Sequence, residues 1–213
     1  MTDRDFAPTS PLRAALFGFG VLLLLTGVAV AGPPSGESGG FPGLPSDPDE
    51  DPVRARLVTT SNAVEPGGTV FVGVHLEQDE GWHTYWKNSG DAGLPTEIEW
   101  TLPEGWSAGE ILWPTPKRYV EAGDLITFGY SGDPVLLTEL TAPADATGEV
   151  TIGARADWLM CKELCIPGDA RMELTLQVGG EAPPVPARDL ELIEASRARL
   201  PRSAEGLEGV ELT

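Results

Sequence analysis

The 213-residue chain contains two cysteines, Cys161 and Cys165, separated by three residues. In an oxidising compartment such a pair tends to join. A disulfide needs Cα atoms about 4.4 to 6.8 Å apart, whereas residues four apart on an extended strand lie roughly 13 Å apart. The chain must therefore turn between the cysteines. A tight hairpin or a single helical turn over Lys162, Glu163 and Leu164 would serve, with Pro167-Gly168 ending the excursion. A plain stabilising bridge is the ordinary use of two cysteines in an exported domain. A loop this short, however, restrains the unfolded chain by only about 2 kcal/mol, against about 4.7 for a loop of a hundred residues. The pair is better placed to exchange, one thiolate attacking a partner's disulfide and the second thiol resolving the mixed disulfide. Lys162 favours a neighbouring thiolate and Glu163 opposes it, so local charge does not select the attacking sulfur.

Met160, Cys161 and Cys165 are soft ligands of the kind that select Cu(I), which makes a copper-binding module the leading alternative. A zinc site from His75, His83, Cys161 and Cys165 has the right ligand types, but the seven residues between the histidines fall outside the usual finger spacing. Six tryptophans, Trp82, Trp86, Trp100, Trp106, Trp113 and Trp158, could form a sugar platform. Packing in a sandwich core explains them more simply, since Trp82 and Trp86 fall on one strand face. No Gly-x-Ser-x-Gly elbow, phosphate loop or His-Glu-x-x-His motif appears, and no small-molecule substrate or bound cofactor is indicated. The formal charge of -19, from 33 acidic and 14 basic residues, repels phosphate backbones and argues against nucleic acid as a partner.

The elements that must position the cysteines follow from periodicity. Thr69 to Glu77 alternates, with Val70, Val72, Val74 and Leu76 on one face and Phe71, Gly73 and His75 on the other, as a half-buried strand does. On this pattern His75 reads as an ordinary exposed or hydrogen-bonded histidine. Further strands are expected at Arg54 to Thr60, Trp82 to Lys87, Thr96 to Leu102, Leu125 to Tyr130, Val135 to Leu140, Glu149 to Trp158 and Arg171 to Val178. They are punctuated by turns such as Glu65-Pro66-Gly67-Gly68 and Pro103-Glu104-Gly105. That number of strands predicts an all-β, immunoglobulin-like sandwich over residues 53–180. Ahead of it, Arg13, the apolar run Ala14 to Val30 and the exit Ala29-Val30-Ala31 read as a signal peptide over residues 1–31, or as a membrane anchor if uncleaved. Residues 32–52, almost wholly Gly, Pro, Ser, Asp and Glu, read as a disordered tether. Residues 181–213 read as a Pro-rich linker and tail carrying one helix, Ala187 to Leu200, with Leu190, Ile193 and Ala198 at roughly helical spacing and Pro201 as its stop.

Several strings then carry a resemblance. They are Gly81-Trp82-His83-Thr84-Tyr85-Trp86-Lys87-Asn88, Gly90-Asp91-Ala92-Gly93-Leu94-Pro95-Thr96, Ile111-Leu112-Trp113-Pro114, Phe128-Gly129-Tyr130, and Ala156 through Cys161-Lys162-Glu163-Leu164-Cys165 to Pro167. In this order they resemble the N-terminal periplasmic domain of the DsbD thiol:disulfide interchange family, especially the branch that includes ScsB. The resemblance implies an immunoglobulin-like periplasmic domain with Cys161 and Cys165 as its redox pair. Such a domain takes electrons from a membrane-embedded reductase module and reduces oxidised periplasmic proteins, thioredoxin-like or disulfide-isomerase in type. It thereby acts as a protein-disulfide reductase in disulfide isomerisation, cytochrome c maturation or metal tolerance. It further implies a loop capping the cysteines, for which Asp124 to Tyr130, with Phe128 and Tyr130, is the candidate. Two departures stand out. The membrane and thioredoxin-like domains of the family are absent from this sequence, which suggests a stand-alone shuttle or an incomplete chain. The three-residue spacing of the cysteines is closer to the ScsB branch than to the longer insertion elsewhere.

Overall fold

In a computed structural model, which describes residues 51–202, eleven strands and one helix form two facing sheets. The smaller sheet has the order β1-β3-β9-β6, from β1 (Val53–Thr59), β3 (Thr69–Gln78), β9 (Val135–Thr141) and β6 (Ser107–Leu112). The larger runs β2-β11-β10-β4-β8-β7, from β2 (Ala63–Val64), β11 (Cys165–Val178), β10 (Gly148–Cys161), β4 (His83–Gly90), β8 (Ile126–Tyr130) and β7 (Lys117–Val120). Strand β5 (Glu97–Thr101) pairs with β10 at Gly153 to Asp157, on the same edge of β10 that β4 takes further along. The result is an immunoglobulin-like β-sandwich.

Period-two alternation decides what lies between the sheets. From the smaller sheet come Val70, Val72, Val74, Leu76 and Leu140, and from the larger Ile152, Ala154, Ala156, Trp158, Met160 and Leu176, all buried in one cluster. Trp106 and Trp158 belong to that core and Trp82 and Trp100 pack against it, as core-forming tryptophans should. The outer face of the smaller sheet is also covered. Val58, Val135, Leu137 and Ile193 form a second cluster beneath α1 (Ala187–Arg197). The helix is tied down by Arg56 to Asp189 at 2.6 Å and by Ser196 Oγ, which accepts the Val135 N–H at 3.0 Å. The expectation of a linker helix outside the sandwich is thus modified: the segment packs on the sandwich through Ile193. His75, on the same outer face, is buried, and its Nε2 lies 3.2 Å from Asp133.

Cys161 and Cys165 sit at the end of the longest ladder, β10 against β11, which pairs Gly148 with Val178 and runs without a break to Cys161 opposite Cys165. Of the two expected turns, the hairpin is the one formed. The ladder continues through Pro167 and Gly168, so these residues do not end the excursion as expected. Gly168 lies opposite Trp158, and a Cβ there would meet the indole Nε1 at 2.6 Å, so a glycine lets the large ring lie across the strand. The expected signal peptide or anchor and the tether through residue 50 lie outside the described residues. Among the described residues no helix is long and apolar enough to cross a membrane.

Candidate functional site

The register fixes which side chains surround the cysteines. Met160 lies opposite Thr84 and Cys161 opposite His83, so successive residues of β10 and β4 point to opposite faces. Met160 and Thr84 face the core. Cys161, His83 and Tyr85 face outward, and directly opposed residues share a face with Cβ atoms about 4.5–5.5 Å apart. A row His83–Cys161–Cys165 therefore crosses three strands on the outer face of the larger sheet.

The two cysteines form a disulfide with Cα atoms 4.2 Å apart. Their exposure is unequal: Cys161 is 2% exposed whereas Cys165 is exposed to solvent. Tyr85 accounts for part of the difference. Its hydroxyl donates to Cys161 Sγ at 2.9 Å and lies 3.7 Å from Cys165 Sγ. Burial, with a smaller contribution from Glu121, pushes the Tyr85 phenol above its ordinary range, so the hydroxyl keeps its proton and remains a donor. The loop after β4 lies over this ring. Gly93, at φ 94°, packs so closely on Tyr85 that any Cβ would run into the ring, and Pro95 forms an isolated bridge with Tyr85.

On the other side, Tyr119 stacks on His83 with centroids 4.6 Å apart and planes 15° apart, while His83 meets Tyr85 edge-on at 5.2 Å. Glu121 Oε1 lies 3.3 Å from His83 Nε2. Burial lowers the His83 pKa, opposed by Glu121. The hairpin turn itself bears Lys162, whose Nζ donates to the Glu80 carbonyl at 3.2 Å, and Leu164, which is 77% exposed. Leu94 and Val120 are also large exposed apolar side chains, on the loop over Tyr85 and on β7 respectively.

Not every residue expected here arrives. Tyr85 lies opposite Gly129, which puts Phe128 and Tyr130 on the face turned away from the sulfurs. Tyr130 is buried and donates to the Pro114 carbonyl at 2.7 Å, Phe128 packs edge-on against Trp86, and Asp124 sits exposed in the turn before β8 at φ 60°. The segments that lie against the aromatic neighbours of the sulfurs are instead Gly93 to Pro95, on Tyr85, and Tyr119 to Glu121, on His83. Alternation likewise separates the soft-metal set, since Met160 lies in the core while Cys161 faces outward. His75 belongs to the other sheet and pairs with Asp133, so it does not join His83 and the cysteines. Among the described residues no group of three or more His, Cys, Asp or Glu side chains gathers as a metal site. Tyr85, Tyr119 and Glu121 were not singled out from the sequence. The alternation of Trp82-His83-Thr84-Tyr85-Trp86, which sets His83 and Tyr85 on one face, was the available signal.

The family model described as "Thiol:disulfide interchange protein DsbD, N-terminal" matches residues 54–177, more than half of the chain. Among solved structures, the N-terminal periplasmic domain of ScsB from Proteus mirabilis aligns over 76% of this chain at 24% sequence identity with a TM-score of 0.54. The chain spans 60% of that structure's length. No curated protein matches the chain.

Proposed function

The chain belongs to the family of DsbD N-terminal thiol:disulfide interchange domains, and from that premise we propose that it is a periplasmic electron shuttle whose redox pair is Cys161 and Cys165. It accepts two electrons from a membrane-embedded thiol reductase module and passes them to oxidised periplasmic proteins of thioredoxin-like or disulfide-isomerase type. The unequal exposure of the two sulfurs carries this reading. An incoming thiolate can reach exposed Cys165, whereas Cys161 is buried against the Tyr85 hydroxyl.

Attack on Cys165 Sγ breaks the intramolecular bond, forms a mixed disulfide and releases Cys161 as a thiolate. That thiolate receives the Tyr85 hydrogen bond, and a charged acceptor gains more from it than a neutral one. The donor's second thiolate then attacks its own sulfur in the mixed disulfide and releases Cys165, leaving the chain two electrons richer. In the outgoing half, the Cys165 thiolate attacks the recipient's disulfide. Cys161 closes back on Cys165, restoring the bridge and freeing the recipient as a dithiol. Exposed Leu164, Leu94 and Val120 give a docking partner apolar contacts around the reacting sulfur.

Trapping tests this assignment. Cys161→Ser leaves Cys165 without its resolving thiol and should accumulate a mixed disulfide with an oxidised thioredoxin-like protein. Cys165→Ser leaves only the buried sulfur and should accumulate little. Equal trapping by the two variants, or trapping through Cys161 alone, would overturn the assigned order of attack.

A further inference from the structure

His83 is a buried titratable group that the exchange steps above do not use. It is 5% exposed, it stands directly opposite Cys161 in the sheet, and its ring stacks on Tyr119 and meets Tyr85 at a steep angle. Its Nε2 makes no hydrogen bond although Glu121 Oε1 is 3.3 Å away. A buried ring nitrogen without a partner is destabilising, and protonation would turn the same contact into a charge-assisted bond. The ring is faced by Tyr85 on β4, Cys161 on β10, and Tyr119 and Glu121 on and just after β7, and Lys162 of the hairpin turn, its ammonium held on the Glu80 carbonyl, lines the same cavity. The other buried histidine is a built-in contrast. His75 is equally enclosed and also faces a carboxylate, but it lies on the opposite sheet, away from the cysteines.

We propose that His83, oriented by Glu121, is a positioning residue for the redox pair, becoming imidazolium when Cys161 becomes a thiolate and so stabilising the reduced chain. The assignment rests on the reading that Cys161 and Cys165 cycle. In the oxidised chain neither sulfur is charged, and burial keeps the imidazole neutral. When a donor dithiol reduces the bridge, two electrons enter and the donor becomes a disulfide. Of the donor's two protons, one goes to exposed Cys165 and the other to His83, leaving an ion pair between His83 and the Cys161 thiolate with Glu121 behind the ring. A thiolate beside an imidazolium has a depressed pKa, and the imidazolium a raised one, by the same interaction.

The test is the titration of His83 in the full chain by NMR of its ring protons, in the oxidised and the dithiothreitol-reduced states. The midpoint should rise by at least about one pH unit on reduction, a tenfold gain in proton affinity, while His75 stays put. A His83 midpoint that is the same in both states overturns the proposal, and this measurement needs no substitution at the site. His83→Gln should also shift the equilibrium with glutathione about tenfold towards the disulfide, which is about 30 mV more reducing, and Glu121→Gln should shift it the same way. His75→Gln should leave that equilibrium unchanged, and an equal shift from His75→Gln would mark the effect as general to buried histidines and overturn the assignment. A chain that does not exchange with partner proteins but whose His83 midpoint still moves refutes the shuttle and leaves His83 assigned. A fixed midpoint in a chain that does exchange refutes His83 alone.

Discussion

Replacing Tyr85 with phenylalanine removes one oxygen from a slot that otherwise stays filled. The ring is 2% exposed, Gly93 packs on its face, and the hydroxyl donates to Cys161 Sγ at 2.9 Å. In the oxidised chain that bond goes to a neutral sulfur and contributes about 0.5–1.5 kcal/mol; in the reduced chain it goes to a thiolate and contributes about 1.5–3 kcal/mol. The reduced state therefore loses about 1–1.5 kcal/mol more than the oxidised state when the oxygen is removed. This is five- to tenfold in the equilibrium with glutathione, or about 20–30 mV towards a more reducing potential. The assay is equilibration of Tyr85→Phe and the unaltered chain in graded glutathione buffers, with thiols counted by mass after alkylation. Tryptophan fluorescence in urea shows that the variant remains folded. A potential within about 5 mV of the unaltered chain, corresponding to under about 0.25 kcal/mol, would refute the claim that the hydroxyl distinguishes the two redox states.

Further outcomes follow from the same contacts. Gly93→Ala combines a φ of 94° with a methyl group directed into the Tyr85 ring, so it should cost about 1–3 kcal/mol in urea unfolding and shift the potential in the direction of Tyr85→Phe; an unchanged urea midpoint would show that this loop does not hold the ring. Burial lowers both His75 and His83 below their usual value of 6.5, so the unfolded chain takes up protons first as pH falls. The stability contributed by the neutral imidazoles is complete above about pH 6.5 and declines towards the lower folded-state values, so the urea midpoint of the oxidised chain should be lower at pH 5.5 than at pH 7.5. A midpoint that rises on acidification would contradict that sign.

The part of this architecture legible in the sequence is the part governed by period-two alternation. Val70, Val72, Val74 and Leu76 read as a core face and form one, and the short spacing of Cys161 and Cys165 required the turn that the hairpin supplies. What the pattern did not contain is the far side of each sheet. Phe71 looks like part of a solvent face until α1 packs on that side of the sheet, a tertiary contact made through Ile193. Phe128 and Tyr130 miss the sulfurs for a related reason. Phe128 and Tyr130 are the conspicuous aromatics near the turn, but pairing of Gly129 with Tyr85 turns them away, and register across strands distant in sequence is not encoded in either strand alone. The two-residue β2 and the short, mostly exposed β6 and β7 are too brief or too polar to alternate visibly, although β7 delivers Tyr119 to His83. Tyr85 and His83 were visible as types but not as neighbours of sulfur, since only the pairing of β4 with β10 brings them there.

The central claim is that Cys161 and Cys165 cycle rather than merely brace a hairpin, and the reduction potential of the pair tests it most directly. Equilibration of the purified chain in glutathione or dithiothreitol buffers should give a value within the range of exchange-active proteins, roughly -270 to -120 mV. A value well below about -300 mV would make the bridge structural and contradict the account.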